Sequence, residues 1–451
     1  MATPLVSAEQ LKIISIRLEA DRYNQPLFLS GNGKSGVVVE VNIYENLSKG
    51  YLTGGIIIQD DLDIYRVADL VGTEKVVVEF ESPDKSSGVI TKTFLIEEIT
   101  DNIKTNDQSS FLSIALIEDI KFYNDLIRFS KAYTGTGEEI ISAIAKDKLG
   151  REVVIESKVS SFQQAFRYIV PFQDPLSAID TVLSKMTTES GLPFFLYSSV
   201  IDNKFYLTDL QTIIQEESFN KDRPFVFDQF NTVQSDIESQ AVNITNLDLG
   251  LLENTLEIAL DGGMGAQYNS VNATTGSPFN FHLDMRDWFA RLTEAEIFPR
   301  EQNFIAFDKK FIADPSKLNN KSITDYNTKV VTRVTSQPYN DTNGFSQEAY
   351  PAAEIYTMIR KSVISHLLKN IYSINMPGLL FSVNNIKTCV GHQVSMNVKR
   401  NNTDIRTNTT IDEKRSGDFV ILAKRHCFDV VGERHTVALD LSKLASRSIQ
   451  E

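Results

Sequence analysis

The feature that most restricts the fold is a series of six short apolar runs in the first 117 residues. The runs are rich in β-branched residues, and each is bounded by Gly, Asn, Asp or Ser. They cover residues 11–20, 37–44, 54–59, 75–81, 93–99 and 110–117. Short runs separated by turn residues predict the strands of an antiparallel barrel or sandwich.

The pattern changes after residue 118, where helical spacing begins. Residues 122–132 and 137–149 have apolar positions on one side of a predicted helix. A third helix is predicted to begin at Asp174-Pro175, an N-cap followed by a first-turn proline, and to end near Gly191. Strands are predicted next at 193–197 and 204–208, which together indicate a small α/β domain.

The remainder of the chain is less regular. Residues 253–350 are rich in Asn, Thr, Gly and Asp, and a long helix is predicted over residues 352–371. Strands return at 379–383, 393–398, 418–426 and 435–441. The strands expected near residues 222–249 cannot complete a barrel alone, so we predict that they pair with the strands after residue 379.

An internal repeat links the two ends of the chain. Phe94-Leu95-Ile96, followed by Leu112, Ile114 and Leu116, reappears 325 positions later as Phe419-Val420-Ile421, followed by Val437, Leu439 and Leu441. At a slightly different offset, Val71-Gly72 before Val76, Val78 and Phe80 matches Val390-Gly391 before Val394, Met396 and Val398. Any two β-hairpins share alternation and a turn, so chance remains an alternative. A true repeat predicts two equivalent barrels.

Three segments, taken in order, carry a resemblance to a known family. They are residues 51–61 (YLTGGIIIQDD), residues 171–180 with 193–197, and residues 416–421 with 435–439. The chain resembles the baseplate hub subunit of T-even-type contractile phages, a family related to the hubs of contractile injection systems. The resemblance covers residues 10–250 and 350–445, whereas residues 260–350 match no part of it.

The resemblance implies an α+β, mostly β fold with two antiparallel β-barrel tube domains, a small α/β domain and an inserted accessory domain. The expected boundaries are 1–120 for the first barrel, 121–220 for the α/β domain, 221–252 with 372–446 for the discontinuous second barrel, and 253–371 for the insert. Whether the chain belongs to a phage or to another contractile injection system stays open.

The resemblance also implies a structural role without catalysis or cofactors. Three copies would form a pseudo-six-fold ring that joins a hexameric tail tube to a trimeric central spike and leaves a channel for DNA. The expected partners are the spike protein, the tail tube or tube-initiator protein, and baseplate wedge and tape-measure proteins. The expected location is the virion tail baseplate, assembled in the host cytoplasm.

The charge balance restricts the ligands. With 45 Lys+Arg against 59 Asp+Glu, the formal net charge is -14, which disfavours tight binding to nucleic acid or anionic membranes. The N-terminus lacks a basic region followed by an apolar stretch, and no membrane-spanning apolar run occurs, so no signal peptide or span is predicted. Cys389 and Cys427 are predicted to be buried free thiols in strands.

Two motifs resemble ligand sites. Residues 31–36 satisfy G-x-G-x-x-G, but a strand is predicted after them where a phosphate site needs a helix N-terminus, so we predict a hairpin loop. Asp60-Asp61-Leu62-Asp63 offers hard oxygen ligands, yet it lacks the spacing and the glycine of a calcium loop. A solvated turn is the favoured interpretation.

No residue is assigned a catalytic, cofactor-binding or metal-binding role. The five histidines, His282, His366, His392, His426 and His435, have no zinc spacing. His426 and Cys427 are adjacent in a predicted strand and should face opposite sides. A tail-associated hydrolase or a carbohydrate-binding, adhesin-like tail protein remains an alternative. Trp288 is interpreted as a core aromatic, with a partner-contact anchor as the other possibility.

Overall fold

The protein is described from a computed structural model, and it is mostly β. The structure describes residues 7–10, 12–31, 37–61, 63–81, 89–104, 109–162, 165–227, 236–249, 255–273, 276–298, 302–304, 323–335, 351–369, 371–381, 385–400, 411–413 and 415–447. No helix in these ranges is long and apolar enough to span a bilayer.

The first half of the fold is an antiparallel sheet. Its strands are β1 (Lys12–Glu19), β2 (Leu27–Gly31), β3 (Val38–Asn46), β4 (Thr53–Asp60), β5 (Lys75–Glu81), β6 (Val89–Lys104) and β7 (Ser110–Glu118), with a one-turn helix α1 (Ile64–Val67) after β4. They pair in the order β2-β1-β5-β6-β7-β4-β3. All six predicted runs are strands, and β2 is an additional strand.

A connecting unit of helices and short strands follows. It contains α2 (Asp119–Leu126), β8 (Ala132–Gly135), α3 (Gly137–Ile144), β9 (Val153–Ile155), β10 (Phe166–Ile169), α4 (Pro175–Leu183), β11 (Phe194–Ser198), β12 (Phe205–Asp209) and α5 (Leu210–Gln215). The Asp174 side chain caps α4 by accepting from the Ser177 N–H at 2.9 Å, as the sequence predicted.

Two helix boundaries in this unit were predicted wrongly. The helix predicted over 122–132 ends at Leu126, because Phe129 forms an isolated bridge to Gln173 and draws the chain into an extended path. Helix α4 ends at Leu183 rather than near Gly191, and Phe162 donates to the Thr187 carbonyl just beyond it. In both places tertiary pairing overrides local helical spacing.

The next part of the chain begins the second half and then forms an insert. It contains β13 (Phe225–Phe227), α6 (Ile237–Ala241), β14 (Asn243–Ile244) and β15 (Asn246–Asp248), and then the insert, with α7 (Thr255–Leu260), β16 (Gly265–Asn272), β17 (Pro278–Asp284), α8 (Met285–Glu294), β18 (Gln302–Phe304), β19 (Lys329–Thr335) and α9 (Pro351–Lys369). In the insert, β16 pairs with β17 and β19.

The second half is completed after the insert. Its remaining strands are β20 (Ile371–Pro377), β21 (Gln393–Asn397), β22 (Gly417–Asp429) and β23 (Arg434–Ser442), and β24 (Ala445–Arg447) pairs with β18. Strand β13 pairs with β21, as predicted for the strands after residue 379, whereas β15 pairs with β20, which precedes that residue. The strand predicted at 379–383 is wrong: residues Leu379–Phe381 form a 3-10 turn, and the strand precedes it as β20, which ends at Pro377.

The predicted repeat is present in the strand order. The second half reads β21-β22-β23-β20-β15 where the first half reads β5-β6-β7-β4-β3. In the first half Ile96 lies opposite Leu116, and a bulge shifts the register before Glu98; in the second, Ile421 lies opposite Leu441, and the same shift falls before Ala423. Each of these residues is 325 positions from its counterpart, so the repeat includes an irregularity of the backbone.

The two halves have separate apolar interiors. The core of the first half includes Ile16, Val41, Ile56, Val78, Phe94 and Leu116, and that of the second includes Ile374, Val394, Met396, Phe419, Val437 and Leu439. The strand pairings of the described residues do not close either half into a complete barrel. The observed architecture is therefore two related, mostly β halves that are linked by a connecting unit.

Candidate functional site: the junction between the halves

Strand β22 joins the two halves because it pairs with strands of both. Its first residues pair with β21, and residues 423–429 pair antiparallel with β3. On the outer face the Arg425 Nε donates to Asn42 Oδ1 at 2.8 Å, and its guanidinium lies 5.7 Å from the Tyr44 ring centre. On the inner face Phe428 belongs to the first half's core and packs 5.0 Å from the Phe80 ring.

A buried ion pair lies across this seam. Lys424 Nζ of β22 is 3.1 Å from Glu45 Oε2 of β3, and both side chains are at most 2% exposed. The ammonium also donates to the Thr388 carbonyl at 3.1 Å. Burial lowers the pKa of Lys424, but the neighbouring Cys389 and Glu45 raise it by more. Removing either partner would leave an uncompensated charge in the interior.

The turn at residues 198–203, which we call the anchor turn, ties the connecting unit to this seam. The Val200 N–H donates to Glu45 Oε1 at 2.8 Å, and the Ser199 hydroxyl lies 3.0 Å from Cys389 Sγ. Ser198 Oγ donates to the Gly50 carbonyl at 2.9 Å. The anchor turn therefore contacts the first half and the second half at once.

A second buried lysine reaches the same turn from the first half. Lys92 of β6 donates to the Ser199 carbonyl at 2.8 Å, to Asn203 Oδ1 at 3.2 Å and to the Asp202 carbonyl. Burial lowers the pKa of Lys92 by more than the nearby carboxylates, Glu118 first among them, raise it. It fixes the position of the turn without a carboxylate in direct contact.

Another buried pair holds the connecting unit to the end of β7. Arg151 Nη2 donates to Glu118 Oε1 at 2.5 Å, and the Leu52 N–H donates to Glu118 Oε2 at 2.8 Å. The Arg151 guanidinium also lies 5.2 Å from the Phe205 ring centre. The first half and the connecting unit are thus joined by two separate polar anchors, Glu118–Arg151 and Lys92 with the anchor turn.

His392 links the connecting unit to the second half. Its Nδ1 lies 3.1 Å from Glu216 Oε2, and its Nε2 lies 3.3 Å from the Tyr197 hydroxyl, which donates to Glu156 at 2.7 Å. Burial raises the pKa of Glu156, whereas the hydrogen bond to His392 lowers the pKa of Glu216. Among the described residues no group of three or more His, Cys, Asp or Glu is arranged to hold a metal ion.

His426 and His435 form a buried stacked pair beside the seam. His426 Nδ1 lies 3.0 Å from His435 Nε2, and the His435 ring stacks on Phe428 at 4.6 Å. Burial lowers the pKa of both histidines, to about 3 for His435. As predicted, His426 is turned away from the half-buried Cys427, since neighbouring strand residues face opposite sides.

The two motifs that resembled ligand sites are described only in part. Gly31 ends β2 and β3 begins at Val38; residues 32–36 of the glycine motif lie outside the described residues. Asp60 accepts from the Ile64 N–H at 2.7 Å and so begins the one-turn helix that follows it. Leu62, within the Asp60–Asp63 motif, also lies outside the described residues.

The cysteine and tryptophan predictions have different outcomes. Cys389 is buried but follows the 3-10 turn Ile386–Thr388 instead of lying in a strand, and burial raises its pKa to about 12. Cys427 lies in β22, as expected, although it is only partly buried. Trp288 is a core aromatic: its side chain is buried, and its Nε1 donates to the Ser190 carbonyl at 2.9 Å.

The two buried lysines and the ion pairs at this junction were not predicted from the sequence. A lysine inside an alternating strand normally marks an exposed position. Lys424 does share the phase of His426 and Phe428, two residues apart each time, so the alternation of β22 contained a signal for its inward direction. Its partner Glu45, far away in the chain, could not be identified from that pattern.

Comparison with known proteins gives a likeness in fold. No protein-family model matches the chain, and no curated protein sequence matches it. The crystal structure of the tail protein from Neisseria meningitidis is 11% identical, with 96% of each chain covered and a TM-score of 0.51. A 43 kDa tail protein of prophage MuSo2 from Shewanella oneidensis is 9% identical, with 95% and 98% covered and a TM-score of 0.48. A type VI secretion component of E. coli is 10% identical, with 96% and 77% covered and a TM-score of 0.41.

Proposed function

We propose that the chain is the structural hub of a contractile tail baseplate, as a homotrimer that joins a tail tube to a central spike. The observation that carries this proposal is the duplicated strand framework, in which both copies share strand order, register and a bulge. The fold likeness to a tail protein from Neisseria meningitidis supports a structural role in a tail.

The side-by-side placement of the halves suits a ring. A six-fold tube end presents six equivalent surfaces, whereas a spike presents three. Three chains that each carry the framework twice would offer six similar units to the tube. The parts of the chain that are not repeated would occur three times and could contact the spike. Cyclic symmetry would close such an assembly without exposed ends.

The proposal includes two barrels with the boundaries predicted from the sequence: 1–120, 221–252 with 372–446, and the units 121–220 and 253–371. Contacts in both halves support closure. In the first half, the Val37 N–H donates to the Leu29 carbonyl at 2.9 Å. This hydrogen bond joins β2, at one end of the strand order, to the residue before β3, at the other end. In the second, β14 pairs with β13 and β15 with β20, on the two sides of Thr245.

The remaining parts of the proposal follow from this role. The chain would be a virion tail component with a neutral or acidic channel, since a basic wall would hold the passing DNA through its phosphates. Its direct partners would be the spike and the tube or tube-initiator protein, with wedge and tape-measure proteins outside them. The buried junction would keep the two halves in a fixed relative position while load passes between tube and spike.

The test is the mass of the purified protein, by native mass spectrometry and sedimentation, followed by electron microscopy with the spike protein. We expect a trimer whose ring shows approximate six-fold symmetry. A protein that stays monomeric together with its spike and tube partners would contradict the proposal. Hydrolysis of peptidoglycan or polysaccharide by the pure protein would favour the enzyme alternative instead.

A further inference from the structure

The outer part of β6 differs from its counterpart in β22. In β22, residues 423–429 pair with β23 on one edge and with β3 on the other. In β6, residues 98–104 pair with β7 on the equivalent first edge. No described strand pairs with the second edge of this segment, and Ile103 on it is 58% exposed. The first half therefore has an open strand edge, and the equivalent edge of the second half forms the internal seam with β3.

The second half contains the counterpart of β3. Val41 of β3 lies opposite Ile56, and Ile56 lies opposite Ile114. In the second half Leu247 of β15 lies opposite Ile374, which lies opposite Leu439, the repeat counterpart of Ile114. Strand β15 thus occupies the position of β3, and Leu247 corresponds to Val41.

The internal seam also defines a register. Phe428 lies opposite Val41 across the seam and opposite His435 in its own hairpin. In the first half the residue opposite Ser110, the counterpart of His435, is Lys104. The offset between Lys104 and Phe428 is one position less than the repeat offset of 325, because β6 has an extra bulge between Ile99 and Asp101. Lys104 and Leu247 are therefore the counterparts of the seam pair Phe428 and Val41.

We infer that the outer part of β6 in one copy pairs antiparallel with β15 of a second copy, with Lys104 opposite Leu247. This inference rests on the proposed trimer and specifies its subunit interface. The contact repeats between chains the seam that already exists within each chain, so all six junctions around the ring would be built alike. A strand edge that is open in the monomer is satisfied in this way.

The polar character of the two junctions differs. The internal seam has the buried pair Lys424–Glu45, and Ile99 occupies the position of Lys424 in the outer part of β6. The contact between chains would therefore lack this buried ion pair and rely on backbone hydrogen bonds and side chains such as Ile99 and Ile103. At the position of Lys424, therefore, the contact between chains needs no buried charge pair.

The test is disulfide trapping in the full-length chain with Cys427 replaced by Ser. The double variant Lys104→Cys/Leu247→Cys should give covalent dimers and trimers under mild oxidation. Neither single-cysteine variant should give a covalent trimer. The variant Glu40→Cys/Asp429→Cys is the matched control, since these residues lie opposite one another in the internal seam and should crosslink within one chain. Hydrogen exchange of the unmodified protein, compared at low and high concentration, should show protection of residues 98–104 on assembly.

The outcomes separate the two proposals. A trimer by mass whose cysteines do not crosslink, and whose residues 98–104 exchange as in the monomer, would overturn the inferred interface and leave the hub proposal standing. Crosslinked chains longer than three subunits would support the strand pairing and contradict the closed trimer. A protein that remains monomeric with its partners, without crosslinks or protection, would overturn both.

Discussion

The hairpins β6–β7 and β22–β23 share a framework but have different surroundings. Both carry the same bulge, yet the far end of β22 is covered by β3 and supplies Phe428 to the first half's core, while residues 100–104 of β6 are exposed. The comparison shows that a repeated backbone can be kept while its side chains are adapted to one internal junction and one open edge. Substitutions at matched positions can test this difference.

The largest effect is expected at Lys424, whose counterpart is Ile99. Lys424→Ile should destabilise the protein by about 3–5 kcal/mol, because it leaves Glu45 buried without its partner. The double variant Lys424→Ile/Glu45→Leu should recover most of this loss, since an apolar pair removes the uncompensated charge. Urea unfolding measures both. A double variant as unstable as the single one would show that the seam depends on the ion pair itself.

The next effect compares an apolar residue from each hairpin. Phe428→Ala should cost about 3 kcal/mol, near the low end for a buried Phe, because the neighbouring histidine rings can move partly into the cavity. Ile103→Ala should change the stability of the monomer by less than about 0.5 kcal/mol, because the side chain is exposed. Thermal unfolding at low protein concentration is the measurement, and equal losses would contradict the assigned difference in burial.

Acid should weaken the second half through the pair His426 and His435. Burial lowers the pKa of both in the folded state, to about 3 for His435, so below about pH 6.5 the unfolded chain takes up protons first. Their stabilising contribution is present above that pH and is lost as the pH falls, by up to about 1.4 kcal/mol per unit for each histidine. Urea midpoints at pH 7.5 and 5.0 measure this loss. His426→Leu/His435→Phe should reduce the dependence without removing it, because burial also lowers the pKa of His366, to about 4. The variant His282→Gln, at an exposed site, is the control.

The smallest effect concerns two glycines that precede equivalent strands. Gly72 and Gly391 have φ of 89° and 81°. A Cβ at Gly72 would meet nothing within 4 Å, whereas one at Gly391 would lie 3.0 Å from Tyr197 and 3.1 Å from Leu47. Gly72→Ala should therefore cost about 1 kcal/mol from backbone strain alone, and Gly391→Ala about 2 kcal/mol or more. Equal losses would show that the connecting unit yields at this contact.

The sequence predicted the first half far better than the second. Every run in the first 117 residues became a strand because each pairs with a neighbour that also alternates. The short strands β13, β14 and β15 could not be located individually, since two or three residues carry no period and their partners lie far along the chain. The repeat was detectable because buried positions recur at a fixed spacing, whereas the choice of Lys424 as an inward residue depends on a partner that local spacing cannot reveal.

The shared strand β22 also has a consequence for how the chain reaches its fold. The seam joins residues such as Asn42 and Arg425, which are separated by 383 positions, so the edge of β3 emerges from the ribosome long before its partner exists. At about 5–20 residues per second, the delay would be on the order of 20–80 s. During that interval an unfinished chain exposes a strand edge, and β22 of a neighbouring chain can pair with it as long as that neighbour's own seam has not closed. We therefore expect domain-swapped pairs and a dependence on chaperones during synthesis as consequences of closing the junction last.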